Sequence, residues 1–305
     1  MRLFSLSIFL SVNFLVQGCY TLADKKPLTS PEFVLTASTP GDSLILSMLN
    51  IDITTKVDFI RWELLLTDNH SGTDSFSLHI NYGIGQPNTL GFINGGQQAS
   101  LHGSFSILLK NGAEIFWFTG FNPAITFSLI KINENLYHLL TPELKLMVGN
   151  GGWSYTLNRK EPKVDKIQPS TVFSSESGIA FSKLIYAGRT PCNKLADLYD
   201  LGVSRECIKL KWKLTLYLDP VTHAPTTYAL SRTGHRENQL KGTWTILKGL
   251  KSNPEITIYQ LDPDKPDESL YFMKGDENVI FFLDKNLELL IGDHNFSYTL
   301  DKMRN

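Results

Sequence analysis

Leu146–Arg159 reads LMVGNGGWSYTLNR and Leu289–Lys302 reads LLIGDHNFSYTLDK, so the chain states one segment twice. The same spacing lays Ile132–Leu140 (INENLYHLL) on Gly275–Leu283 (GDENVIFFL). Further upstream, Gly103–Ile107 (GSFSI) answers Gly242–Ile246 (GTWTI), and Ile60–Leu66 (IRWELLL) answers Leu210–Leu216 (LKWKLTL). The offset drifts by a few residues between blocks, as loop insertions would cause. Repetition on this scale means one domain used twice. Features shared by both copies are expected to be scaffold, and function is expected where one copy has something the other lacks.

The copies are built from strands. In Ile208–Tyr217 (IKLKWKLTLY), five apolar residues alternate with Lys209, Lys211, Lys213, Thr215 and Tyr217. Period two over this length gives one buried and one wet face; wound as a helix, the same residues would scatter around the axis. Outward lysines would also discourage edge-to-edge association. Strand-like runs follow at Thr226–Leu230, Gly242–Leu247, Ile256–Leu261, Ser269–Lys274, Val279–Leu283, Leu287–Ile291 and Phe296–Leu300. Turn chemistry separates them, as in Asp219-Pro220, Asn253-Pro254 and Asp262-Pro263-Asp264. The first copy repeats the rhythm with a longer Gly- and Asn-rich loop over Asn81–Gln98. About eight short antiparallel strands per copy predict an all-β chain of two tandem up-and-down barrels. The exception is Asn193–Leu201 (NKLADLYDL), where Leu195, Leu198 and Leu201 suit a short helix.

With 305 residues the chain has room for two domains of about 130 residues each. They are read as 33–160 and 173–305, joined by a polar linker over 161–172 that carries Pro162 and Pro169. The formal net charge is −1, and no Lys/Arg cluster in the sequence points to a nucleic-acid face.

The amino terminus belongs to neither copy. Met1–Arg2 precedes an apolar stretch, Leu3–Val16, too short to span a bilayer of about 30 Å. It fits a secretory signal peptide over 1–18. Leu15-Val16-Gln17-Gly18-Cys19 resembles a bacterial lipobox, with Gln17 an uncommon occupant. That resemblance implies that Cys19 is acylated, as with palmitate, and becomes the mature terminus, with 19–32 as tether. Tyr20 stands where some bacteria use Asp for inner-membrane retention, which favours the outer membrane. An ordinary signal peptide is the alternative.

Two cysteines remain, Cys192 and Cys207, both in the second copy. In an oxidising envelope they are a disulfide candidate. Reduced, they could ligate a soft metal such as copper.

The order of motifs in the second copy resembles the NlpE N-terminal family of envelope lipoproteins. Gly188–Cys192 (GRTPC), Gly242-Thr243-Trp244, Tyr271–Gly275 (YFMKG) and the Phe-Ser-Tyr-Thr-Leu end carry the likeness. It spans most of Ser182–Leu300 and, more faintly, Phe33–Leu157. It implies a lipocalin-like β-barrel and a role in copper homeostasis or envelope stress sensing. The family places a Cys-x-x-Cys at the barrel start; here Leu195 stands at the second position, so copper binding does not carry over with the motif.

Other chemistry is weakly marked. The seven histidines, His70, His79, His102, His138, His223, His235 and His294, form no ligand spacing. Asp262–Glu268 lacks the EF-hand glycine and terminal Glu, so it reads as a solvated hairpin loop. Gly83-Ile84-Gly85 lacks the third glycine of a nucleotide fingerprint, and no nucleophile elbow, zincin motif or P-loop occurs. Trp62, Trp212, Trp244, Tyr155 and Tyr298 read as barrel filling. The expectation is a non-enzymatic, membrane-anchored lipoprotein, possible partners being copper ion or an envelope protein. The alternatives are a carrier of a small apolar ligand and an assembly or adhesion component with structural cysteines.

Overall fold

The structure is a computed structural model and describes residues 32–68, 73–163, 182–199, 206–232, 235–250 and 253–303. The chain forms two closed eight-stranded antiparallel barrels in tandem. The first comprises β1 (Glu32–Pro40), β2 (Phe59–Thr67), β3 (Ser75–Gly83), β4 (Gln97–Lys110), β5 (Ala113–Gly120), β6 (Thr126–Lys131), β7 (Leu136–Leu140) and β8 (Thr156–Arg159). The second comprises β9 (Lys183–Thr190), β10 (Leu210–Leu218), β11 (Pro225–Arg232), β12 (His235–Leu250), β13 (Asn253–Leu261), β14 (Tyr271–Lys274), β15 (Val279–Leu283) and β16 (Thr299–Lys302). Each strand pairs with its sequence neighbours, and β8 closes on β1 as β16 closes on β9.

Closure removes every edge. β10 bonds to β9 on one side and β11 on the other, so its lysines guard no edge; they cover a wet face. The expected strand over Leu287–Ile291 is absent: the segment makes one bridge, Leu283 to Leu289, beside a turn with Leu287 at φ 63°. The Asn81–Gln98 loop is shorter than predicted, because β3 runs to Gly83 and β4 starts at Gln97.

Aromatic rings fill the first lumen. Phe127 stacks on Phe118 at 4.5 Å and meets Trp62 and Phe76 edge-on at 5.9 and 5.8 Å, bringing β2, β3, β5 and β6 into contact across it. In the second, Phe282 meets Trp212 at 5.3 Å and Phe272 at 4.6 Å. The five aromatics read as filling are all buried.

A short helix follows the first strand of each barrel: α1 (Ser43–Met48) and α2 (Asn193–Tyr199). The sequence reading found only α2. Asp42 caps α1, accepting from the Leu44 and Ile45 amides at 3.1 Å each. Its other carboxylate oxygen accepts from the buried Tyr155 hydroxyl, whose pKa is raised by burial and by the Asp42 charge. The helix therefore hangs on the end of the repeated SYTL segment.

β7 and β15 are buried along their whole length, with no alternation. Tyr137 and Leu139 face one lumen, Ile280 and Phe282 the other. The intervening residues meet in a third apolar cluster that joins the barrels, with Leu136, Leu140 and Leu146 on one side and Val279, Leu283 and Leu289 on the other. Strands covered on both faces read as continuous apolar runs.

Candidate functional site

Three places carry features beyond barrel filling: the helix corner of each copy, the seam between barrels, and a cleft beside that seam.

In the second copy, the corner holds the Cys192–Cys207 disulfide, with Cα atoms 6.0 Å apart. Cys192 is buried in the same apolar cluster as Leu195, the residue at the family's second cysteine position. Bonded to each other, the two sulfurs present no thiolate, and a Cu(I) site here would require reduction first. In the first copy the corresponding place holds Gly41 and Val57. A Cβ added to Gly41 would lie 2.4 Å from Val57 Cγ1, so glycine and valine occupy the space that the bridge fills. One further bond is common to both corners: Trp62 Nε1 donates to Thr39 Oγ1, and Trp212 Nε1 to Thr190 Oγ1, each at 2.8 Å.

The seam has local two-fold character. The Ser154 and Ser297 hydroxyls touch at 2.6 Å, and those of Thr156 and Thr299 at 2.9 Å. The Gly292 amide donates to Asn158 Oδ1 at 2.8 Å, and the Gly149 amide donates to Asp301 Oδ1 at 2.8 Å. All four pairs are related by the 143-residue offset between the repeated segments, so each copy offers the other the same surface.

Two seam positions break that symmetry. Asn158 Nδ2 also donates to the Asp293 carbonyl at 3.0 Å, whereas Asp301 Oδ2 is buried with no partner. Burial, with a smaller contribution from Asp276, raises the Asp301 pKa to about 8. His138, in turn, faces Phe281 edge-on at 5.9 Å, at the position equivalent to its own. Its Nε2 lies 2.8 Å from the Met147 carbonyl and must carry the proton; Nδ1 then accepts from Thr156 at 2.9 Å. Burial lowers this imidazole's pKa to about 4, so it is neutral at pH 7.

Beside the seam, a cleft of about 650 Å³ opens between the outer face of β1–β4 and the 292–294 loop. Arg61, Glu63, His79, Asn81, Lys160 and His294 line it. Arg61 Nη2 donates to the Leu90 carbonyl at 2.7 Å and to Asn295 Oδ1 at 3.0 Å, holding the 84–96 loop against the second copy. Phe92, Phe59 and Trp153 stack in series at 4.1 and 4.8 Å, and the Arg189 guanidinium lies 4.9 Å from the Trp153 ring centre.

The other sequence candidates disperse. Cys19, the signal peptide, most of the tether and linker, His70 and Leu201 lie outside the described residues, as does the side chain of His235. His79 contacts Ser100 at 2.8 Å, His223 sits in a turn at φ 56°, and the Asp262 carboxylate accepts from the Tyr228 hydroxyl. Among the described residues no group of three or more His, Cys, Asp or Glu side chains is placed to hold a metal ion.

No family model, curated protein or solved structure matches this chain. The NlpE likeness therefore stands on the residues quoted for it.

Sequence reasoning missed α1, the seam and Asp301. The signal for the seam was present: SYTL occurs in both copies, but repetition marked it as scaffold and gave no hint that the two copies touch each other.

Proposed function

We propose that this is a lipid-anchored protein of the bacterial envelope, held on the outer membrane in the sense of the Tyr20 rule, and acting by binding rather than catalysis. The NlpE resemblance gives the setting, copper homeostasis or envelope stress sensing. The observation that carries the envelope reading is the Cys192–Cys207 disulfide, a bond of oxidising compartments, downstream of a lipobox-like Cys19. Ring-filled lumens favour the barrel surfaces and the inter-barrel cleft over a lipocalin-type cavity as the place where partners meet the protein. On this reading the cysteines are structural, and any copper role requires their reduction.

The test is fractionation with intact mass. The native chain should partition with membranes, carry acyl chains on Cys19 and resist alkylation at Cys192 and Cys207. Cys19→Ala should release it to the soluble fraction. An unacylated native chain would sink the anchoring reading; two freely alkylated thiols would return copper ligation to the front.

A further inference from the structure

The lysines of β10 stand on a larger surface than the sequence discloses. β9, β10 and β11 contain no acidic residue and carry Lys183, Arg189, Lys211, Lys213 and Arg232, and β12 adds Lys241 and Lys248 with a single acid in its sequence, Glu237. The equivalent β1, β2 and β3 carry one Arg or Lys, Arg61, with Glu32 and Glu63. Cross-strand register sets Lys211 opposite Arg189, and Lys241 opposite Ala229, which itself pairs with Thr215 two residues along β10 from Lys213. Lys209 extends the row; burial and then the neighbouring Arg189 and Lys211 charges lower its pKa. The nearest acids in sequence, Glu206 and Asp219, fall outside β10 at its two ends.

Within this face runs a groove of about 200 Å³ lined by Lys183, Lys213, Thr215, Tyr217, Ser231 and Gln239. Ammonium and hydroxyl donors in one polar groove suit phosphate oxygens. At the β10–β11 end the face finishes in two exposed apolar groups, Tyr217 at 40% and Val221 at 83% exposure. Tyrosine beside lysines is a side-chain set suited to the headgroup level of a bilayer.

We propose that the outer face of β9–β12 docks on an anionic phospholipid surface, seating lipid phosphates in the Lys183–Lys213 groove. The membrane is supplied by the anchoring reading, on which this proposal rests. Twelve residues separate Cys19 from Glu32, thirteen backbone steps with a reach of roughly 45 Å when extended, enough for a barrel to lie down on the bilayer that anchors it. The charge difference between copies then has a purpose: the second barrel faces lipid, and the first is left to face the aqueous side.

The experiment uses the full chain with Cys19→Ser, so that no acyl chain contributes. It measures co-sedimentation with vesicles of equimolar phosphatidylethanolamine and phosphatidylglycerol, against vesicles of phosphatidylcholine. Binding is expected to the anionic vesicles alone and should vanish in about 0.5 M salt, where the Debye length falls to about 4 Å. Substituting Lys183, Lys213 and Lys241 by Gln should weaken it roughly a hundredfold, about fivefold per lysine. A charge-matched control with Gln at Lys56, Lys110 and Lys145 should bind as the parent does. Equal loss in both triple variants, equal binding to both vesicle types, or tighter binding to a DNA oligonucleotide would overturn the proposal. The two readings fail separately: vesicle binding by a chain that is never acylated in cells removes the anchor alone, and an acylated chain whose unacylated form ignores anionic vesicles removes the docking face alone.

Discussion

The helix corners of the two barrels solve one problem in different ways. In the first, α1 buries Ile45 and Leu46 with Leu49 just beyond it, is capped by Asp42, and is tied to the lumen through Tyr155. Gly41 and Val57 close the gap by contact alone. In the second, Leu195 is buried and Leu198 is partly buried against the core, and a covalent bridge stands where glycine and valine pack. The disulfide occupies the place of a packing contact. That is the pattern of a structural staple.

The largest break in this comparison should come from Cys192→Ser with Cys207→Ser. Sequence separation of 15 residues corresponds to roughly 3 kcal/mol in the chain-entropy account. Denaturant unfolding should show the second barrel weakened while the first keeps its transition; equal weakening of both would mean the seam couples them into one cooperative unit. Gly41→Ala attacks the other corner. Its added methyl would press on Val57 Cγ1 and on the Val57 carbonyl, at a cost of about 2 kcal/mol by overpacking. A neutral result would show that the first corner is loosely packed and that the staple has no counterpart there.

Asp301→Asn sharpens the comparison at the seam by giving the second copy the amide of the first. A carboxyl raised to about 8 in the folded state is protonated there when the unfolded chain has already ionised, so stability falls as pH rises between 3.8 and about 8. His138 acts in the opposite sense: lowered to about 4, it costs stability as pH falls below 6.5. The two slopes oppose each other between about pH 4 and 6.5, leaving Asp301 alone above that range. Thermal melts should therefore show a decline from pH 6.5 to 8 of about 2 kcal/mol that Asp301→Asn abolishes. Persistence of the decline in the variant would assign it to another group. The smallest effect is expected from Thr39→Val and Thr190→Val, each removing one tryptophan hydrogen bond worth about 1 kcal/mol. Similar losses at both sites would mark that bond as common scaffold.

How much of this was legible depended on whether the governing contact was local. Alternation in Ile208–Tyr217 carries its own proof, because a strand with one wet face must repeat every two residues. The duplication and the strand count led in the same way to two barrels. The edge role read into the lysines of β10 did not follow from that architecture, because a closed barrel has no edge for them to guard. α1 escaped because it buries only two of its own residues, Ile45 and Leu46, and its cap, Asp42, earns its meaning from Tyr155, more than a hundred positions away. The basic face escaped for a similar reason: Lys183, Lys213 and Lys241 stand on β9, β10 and β12, which only strand pairing brings into one sheet, and no short window along the chain contains all three. At the seam, composition was informative in hindsight. VIFFL in β15 fails to alternate because both of its faces are covered, which periodicity alone cannot distinguish from a short buried helix.

His138 meeting Phe281 has a consequence for what this molecule can become. In a homodimer of identical barrels, every residue beside the axis confronts its own double, and any substitution there is made twice. A single chain holding both halves lifts that restriction: histidine can sit opposite phenylalanine, and aspartate can take in one copy the place that asparagine holds in the other, combinations that identical subunits could never present. It also frees the pairing from dilution, since the two halves arrive together at whatever abundance the cell maintains.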